Sequence, residues 1–150
     1  MAGYDDCRTI EVDAPPERCF ALLTDYERLP SWQGSLRSVR VLERDEHGRG
    51  SVVEYEVDAK LRVVRYRLRQ VYEEPHRLAS EYLGGDFRDF SGEWRFLPAG
   101  EDRTRVELDL TVDPGRFVPG PVRGAISDAV MKRALSDLKR EAERRGVPST

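Results

Sequence analysis

The chain has 150 residues, 35% of them charged and 39% apolar, with a formal net charge of −3. That balance describes a globular chain with a heavily charged exterior and excludes a disordered one, which lacks this many aromatic and branched residues. The small acidic excess argues against a nucleic-acid or anionic-membrane binder, and no apolar run approaches the roughly 20 residues of a membrane span.

In chain order, the first seven residues are polar and acidic, with no basic segment followed by an apolar run. The expectation is therefore no signal peptide and a cytoplasmic location. There Cys7 and Cys19 are reduced thiols. With only His47 and His76 elsewhere, they match no zinc spacing, and no metal or other cofactor is expected. Arg8 to Asp13 alternates, with Ile10 and Val12 on one face, which predicts a strand. Pro15 and Pro16 suit a first helical turn, so a short helix follows from Pro16 to about Leu23. Thr24 and Glu27 have capping-box spacing, which predicts a second helical turn ending near Pro30.

From Leu36 to Val112 the period is two, divided by turn signals at 45–50, Glu74-Pro75, Gly84-Gly85 and Pro98-Ala-Gly100. Connections this short require antiparallel hairpins. One hairpin can be registered directly. With Ala59 to Arg62 as its loop, Val57 faces Val64, Tyr55 faces Tyr66 and Val53 faces Leu68. On the other face Glu56 meets Arg65 and Glu54 meets Arg67. A slip of one residue destroys both matches. The same register reads Arg62, Arg65, Arg67 and Arg69 as a solvated sheet face answered by acidic neighbours, not as an RNA-binding stripe.

Phe90, Trp94 and Phe96 share the inward face of a later strand, with Gly92 between them, and Val106, Leu108, Leu110 and Val112 share that of the last. Between residues 77 and 83 two inward sets compete. Leu78, Ser80 and Tyr82 are favoured over Ala79, Glu81 and Leu83, because a buried Glu81 without a partner is costly. A Pro/Gly segment, 113–121, reads as a stiff connector or as a lid hinged at Gly115 and Gly120. Then Met131, Leu135, Leu138 and Ala142, flanked by Ile126, Val130 and Ala134, form a helical stripe. Arg144-Arg145 with Gly146 and Pro148 closes that helix. About 25 residues at ~1.5 Å each make a rod long enough to cross a sheet.

The order strand, two short helices, six strands, long helix comes with particular residues. They are Tyr26-Glu-Arg-Leu-Pro-Ser-Trp32, Val39-Arg-Val-Leu-Glu-Arg44, Gly92-Glu-Trp-Arg-Phe96, Thr104-Arg-Val-Glu-Leu108 and Leu138-Lys-Arg-Glu-Ala-Glu143. Together they resemble the polyketide cyclase/dehydrase and coenzyme Q-binding branch of the START-like, helix-grip superfamily, over about residues 5 to 145 of a single domain spanning 1–150. The resemblance implies an α+β helix-grip fold: a seven-stranded antiparallel sheet wrapped around a long C-terminal helix, with two short helices between strands 1 and 2. It also implies an apolar cavity between sheet and helix, and ligands such as lipids, quinones or polyketides.

The candidate cavity residues are Tyr55, Tyr66, Tyr82, Phe90 and Trp94 on the inward sheet face. Trp32 and Phe117 would sit at a mouth, with Ile126 and Val130 on the helix. Plain core filling explains each of them equally well one at a time. No nucleophile elbow or phosphate loop is present, both histidines fall in turns, and the inward set of the clear strands contains no charge. Tyr66 and Tyr82 are thus the only catalytic candidates, with Ser80 or Glu81 as weaker helpers. The expected function is to carry or present an apolar small molecule. The alternatives are an aromatase/cyclase that works by orienting a polyketide-like chain, and a protein-interaction module. A homodimer is left open.

Overall fold

The structure is a computed structural model that describes residues 4–34, 36–58, 63–113 and 120–146. The chain runs β1 (Tyr4–Val12), α1 (Pro16–Thr24), a 3-10 helix (Tyr26–Ser31), β2 (Leu36–Arg44), β3 (Gly50–Asp58) and β4 (Val63–Glu73). It continues with β5 (Arg77–Gly85), β6 (Asp89–Pro98), β7 (Thr104–Asp113) and α2 (Gly120–Gly146). All seven strands form one sheet in the order β1-β7-β6-β5-β4-β3-β2, and every neighbouring pair is antiparallel. Six consecutive strands pair in sequence, and the last returns to the first.

The β3–β4 hairpin has the register that its side chains dictate. Val57 lies opposite Val64, Tyr55 opposite Tyr66 and Val53 opposite Leu68. Val53, Val64 and Leu68 are buried, and the Tyr55 and Tyr66 rings stack at 5.5 Å. On the outer face Arg65 pairs with Glu56. Glu54 lies opposite Arg67 in register, yet its carboxylate turns to Arg40 on β2, 3.7 Å away. Farther along, Glu93 bridges Arg77 and Arg95, and Arg95 also reaches Glu107. Charges of both signs alternate across this face, so it carries no bare basic stripe.

Two local expectations need correction. The Thr24 hydroxyl does not cap the following turn; it donates back to the Phe20 carbonyl at 2.9 Å, and the 3-10 helix has no side-chain cap. A threonine at the end of one helix finds the carbonyl four residues back closer than an amide ahead. Nor do Gly84 and Gly85 form the turn after β5. They are its last two residues, with φ of 138° and 144°, and the chain turns beyond them. Gly85 lies opposite Tyr66, so close that a Cβ would stand 2.4 Å from the Arg65 carbonyl oxygen and 2.5 Å from the Tyr66 Cα. Only glycine fits this approach. A bulge one step earlier, where Leu68 pairs with Tyr82 after Arg67 pairs with Gly84, leaves Leu83 as the extra residue. Leu78 is buried while Leu83 is 41% exposed. This fixes the inward set of β5 as the one containing Leu78, Ser80 and Tyr82.

Helix α2 covers the inward face. Met131, Leu135, Leu138 and Ala142 are all buried, as is Ala134 beside them. The helix is also stitched at both ends of the first crossover. Lys139 Nζ donates to the Glu11 carbonyl at 2.9 Å, and Glu143 accepts the Asp13 backbone N–H at 3.0 Å. Asp137, only 1% exposed, accepts the Gly34 N–H at 2.8 Å and is flanked by Arg133 and Arg140. A buried carboxylate is tolerated when its oxygens are answered in this way. Residues 114–119 of the Pro/Gly segment, with candidates Gly115 and Phe117, lie outside the described residues, while Gly120 and Pro121 open α2; the side chains of Ile126 and Val130 are also outside them.

Because Leu138 is fully buried under the sheet, Leu138→Ala will lower unfolding free energy by about 2–5 kcal/mol. Leu97→Ala at a 39% exposed site will change it by less than about 0.5 kcal/mol. Urea unfolding of the two variants checks both.

Candidate functional site

A cavity of about 140 Å³ lies between the sheet and α2. Its floor is sheet: Tyr55 and Val57 from β3, Tyr66, Leu68 and Gln70 from β4, Leu78 and Ser80 from β5. Phe90, Gly92 and Trp94 from β6 and two leucines from β7 continue it. Leu23, Leu29 and Gln33 close one side, and Met131 and Ala134 of α2 form the roof. Period-two alternation produces this wall, since every second residue of adjacent strands points the same way. Gly92 adds room without being forced; a Cβ there would meet Phe90 and Leu110 at 3.4 and 3.6 Å, ordinary contacts.

Four sequence-predicted residues, Tyr55, Tyr66, Phe90 and Trp94, come together on this wall. Tyr66 is their hub, stacked on Tyr55 at 5.5 Å and on Phe90 at 5.1 Å. Tyr82 stands beside them, 6.4 Å from Phe90, but does not line the cavity, and its hydroxyl donates to the Phe87 carbonyl at 2.6 Å. Trp32 is 8% exposed and packs in the core without lining the cavity. Its Nε1 has no partner among the described residues. Glu81 is on the exposed face, and Ser80 is on the wall.

The residue that sequence reasoning missed is Gln70. It continues the inward series 64, 66, 68, so the signal was an amide at a position whose neighbours in that series are apolar. It is 6% exposed and directly opposite Ser80. Its Nε2 donates to the Tyr55 oxygen at 2.7 Å, and its Oε1 accepts the Ser80 hydroxyl. Next to this row a second chain runs away from the cavity: Tyr26 and Tyr72 oxygens are 2.7 Å apart, and Tyr72 donates to the Gly50 carbonyl. Gln33, also missed, ties the turn before β2 to the Ala134 carbonyl of α2 through its Nε2 at 3.2 Å.

No charged side chain lines the cavity among the described residues. The register does place Asp6 opposite Leu110 and Arg8 opposite Leu108, on the face of Ile10 and Val12, so that face of β1 has two ionisable positions at the sheet edge. Burial raises the pKa values of Tyr26, Tyr55 and Tyr66 well above the ordinary phenol range. These phenols are neutral throughout the physiological range, able to donate or accept hydrogen bonds and unable to serve as anionic bases. Burial likewise pushes the Cys19 thiol up to about 11, which makes it inert packing, while Cys7 is exposed.

A seven-stranded antiparallel sheet gripping a long helix defines the helix-grip class of folds. The comparisons place the chain within it: residues 12–139 match the family described as polyketide cyclase / dehydrase and lipid transport, and the chain belongs to that family. A START superfamily protein of Mycobacterium smegmatis has the same fold, with a TM-score of 0.86 at 23% identity, covering 94% of this chain and 98% of that one. The Zhui aromatase/cyclase of Streptomyces sp. R1128 gives 0.84 at 21% identity, covering 98% and 97%. The granaticin polyketide synthase bifunctional cyclase/dehydratase of Streptomyces violaceoruber is 31% identical over 103 residues, 67% of this chain. The chain spans only 31% of that curated relative's length.

Two solution measurements check the chemistry of these buried groups. In a spectrophotometric titration, Tyr26, Tyr55 and Tyr66 will stay un-ionised past pH 10 and release their protons only on unfolding. At pH 8 a thiol reagent will modify Cys7 rapidly and reach Cys19 only after denaturant is added.

Proposed function

We propose that this chain binds an apolar, oxygen-bearing small molecule of polyketide or quinone type between its sheet and α2, and holds it without covalent chemistry. The observation that carries this reading is the composition of the cavity wall. Aromatic and aliphatic side chains supply most of it, and the polar atoms are neutral hydroxyls and amides. Such a wall rewards burial of an apolar frame while a few placed polar groups set its orientation. Among the described residues it offers a lipid phosphate or a carboxylate no charge partner. The family description, with both cyclases and lipid transport in it, supports a ligand of this kind.

A second reading is an aromatase/cyclase. One feature favours it: the Tyr66 hydroxyl lines the cavity with no hydrogen-bond partner among the described residues, so it is free to protonate or orient a carbonyl. Its likeness to the granaticin cyclase/dehydratase points the same way. Orientation alone supplies much of the acceleration of an intramolecular ring closure.

Native mass spectrometry of gently purified protein will show a bound small molecule, or binding of added hydroxylated naphthoquinones and anthraquinones. At 100-fold excess over Kd such a ligand will raise Tm by about 5–10 °C. Absence of bound mass and of any Tm shift across quinones, polyphenols and lipids would sink the binding reading. For the second reading, turnover of a linear polyketide mimic will fall in Tyr66→Phe; turnover unchanged in that variant removes Tyr66 from the chemistry.

A further inference from the structure

The two hydrogen-bond rows beside the cavity each have a direction. The Gly50 carbonyl can only accept, so Tyr72 must spend its proton there. The Tyr72 oxygen can then only accept from Tyr26, 2.7 Å away. With its own proton committed, the Tyr26 oxygen is left as an acceptor. On the cavity side the Gln70 N–H end donates to the Tyr55 oxygen at 2.7 Å. The Gln70 carbonyl end must face β5, where it takes the Ser80 proton.

The two groups at the ends of the Gln70 amide are therefore left unlike. The Tyr55 oxygen accepts from Gln70, and its own proton has no acceptor among the described residues. The Ser80 proton is spent on Gln70, and its oxygen keeps lone pairs. Both side chains line the cavity. Resting on the binding reading above, we propose that the cavity selects a hydroxy-carbonyl ligand, one apolar frame whose carbonyl takes the Tyr55 proton and whose hydroxyl donates to Ser80. Gln70 is the positioning residue that sets the two polarities. A ligand with two carbonyls leaves a lone-pair clash at Ser80, and one with two hydroxyls can accept the Tyr55 proton but leaves its own proton there without an acceptor. A site built this way discriminates by leaving buried polar groups unpaired in the wrong complex.

Four compounds on one carbon frame test this: tetralin, 1-tetralone, 5,6,7,8-tetrahydro-1-naphthol and 5-hydroxy-1-tetralone. Calorimetric Kd values for the wild-type protein will rank the hydroxyketone tightest and tetralin weakest, with each matched group contributing about 3- to 10-fold. Tyr55→Phe will remove the gain from the ketone and keep the gain from the phenol. Ser80→Ala will do the reverse. Gln70→Leu will shrink the gain of the hydroxyketone over both single-group compounds while tetralin still binds, a pattern that general loss of packing does not produce. Equal binding of all four by wild type overturns the selection of hydroxy-carbonyls and leaves the binding reading standing. So does a Tyr55→Phe protein that loses the phenol as much as the ketone. No binding of any compound, tetralin included, overturns the binding reading and this inference with it. The wild-type ranking decides the matter even where a variant does not fold.

Discussion

The apolar stripe of α2 needs a surface to bury it, and the inward face of the sheet is the one that the chain provides. Met131, Leu135, Leu138 and Ala142 are shut away together. Burying side chains of this size contributes about 1.5–3 kcal/mol each for the larger ones, which makes the helix the keystone for all strands under it. The polar stitches confirm its seat instead of creating it. Asp137 holds the Gly34 amide, and Glu143 holds that of Asp13. These two contacts join α2 to the turn before β2 and to the exit of β1. The helix thus spans the whole first crossover, and the cavity is the volume that its stripe does not fill.

That volume has unlike sides. The roof and the β6–β7 flank are hydrocarbon or aromatic, while Tyr55, Gln70 and Ser80 form a polar row across β3, β4 and β5. A molecule of the proposed kind would be free to slide along the apolar side and would be registered on the other. Burial keeps the phenols of that region protonated, so the row works through hydrogen-bond direction instead of charge. Direction of this kind is insensitive to pH and salt.

Much of this could be seen in the residues themselves. The β3–β4 register followed from two matching alternations, one apolar and one charged, which no other alignment satisfies together. The α2 stripe followed from helical spacing, and the inward face of β5 from the cost of burying Glu81. What stayed hidden needed three dimensions. Gly84 and Gly85 look like a turn in sequence, and only the closeness of the Arg65 and Tyr66 backbone explains them as strand. Thr24 and Glu27 had the right spacing for a cap, but spacing does not say which way a hydroxyl rotates. Tyr82 was rightly placed on the inward face, and its phenol was already taken by the Phe87 carbonyl. Gln70 fell outside the reading because a lone amide carries no pattern until its partners on two other strands are known.

The polar row also bears on how such a protein can change. Tyr55, Gln70 and Ser80 sit on three successive strands, joined by short connections within one stretch of 26 residues from 55 to 80. None of the three belongs to the α2 stripe that holds the fold together. On the proposed reading, ligand preference rests on three positions outside that stripe, interleaved with the buried Val57, Val64, Leu68 and Leu78 of the same strands. A combinatorial library over the three codons would test how far selectivity changes while those alternate core positions keep the scaffold.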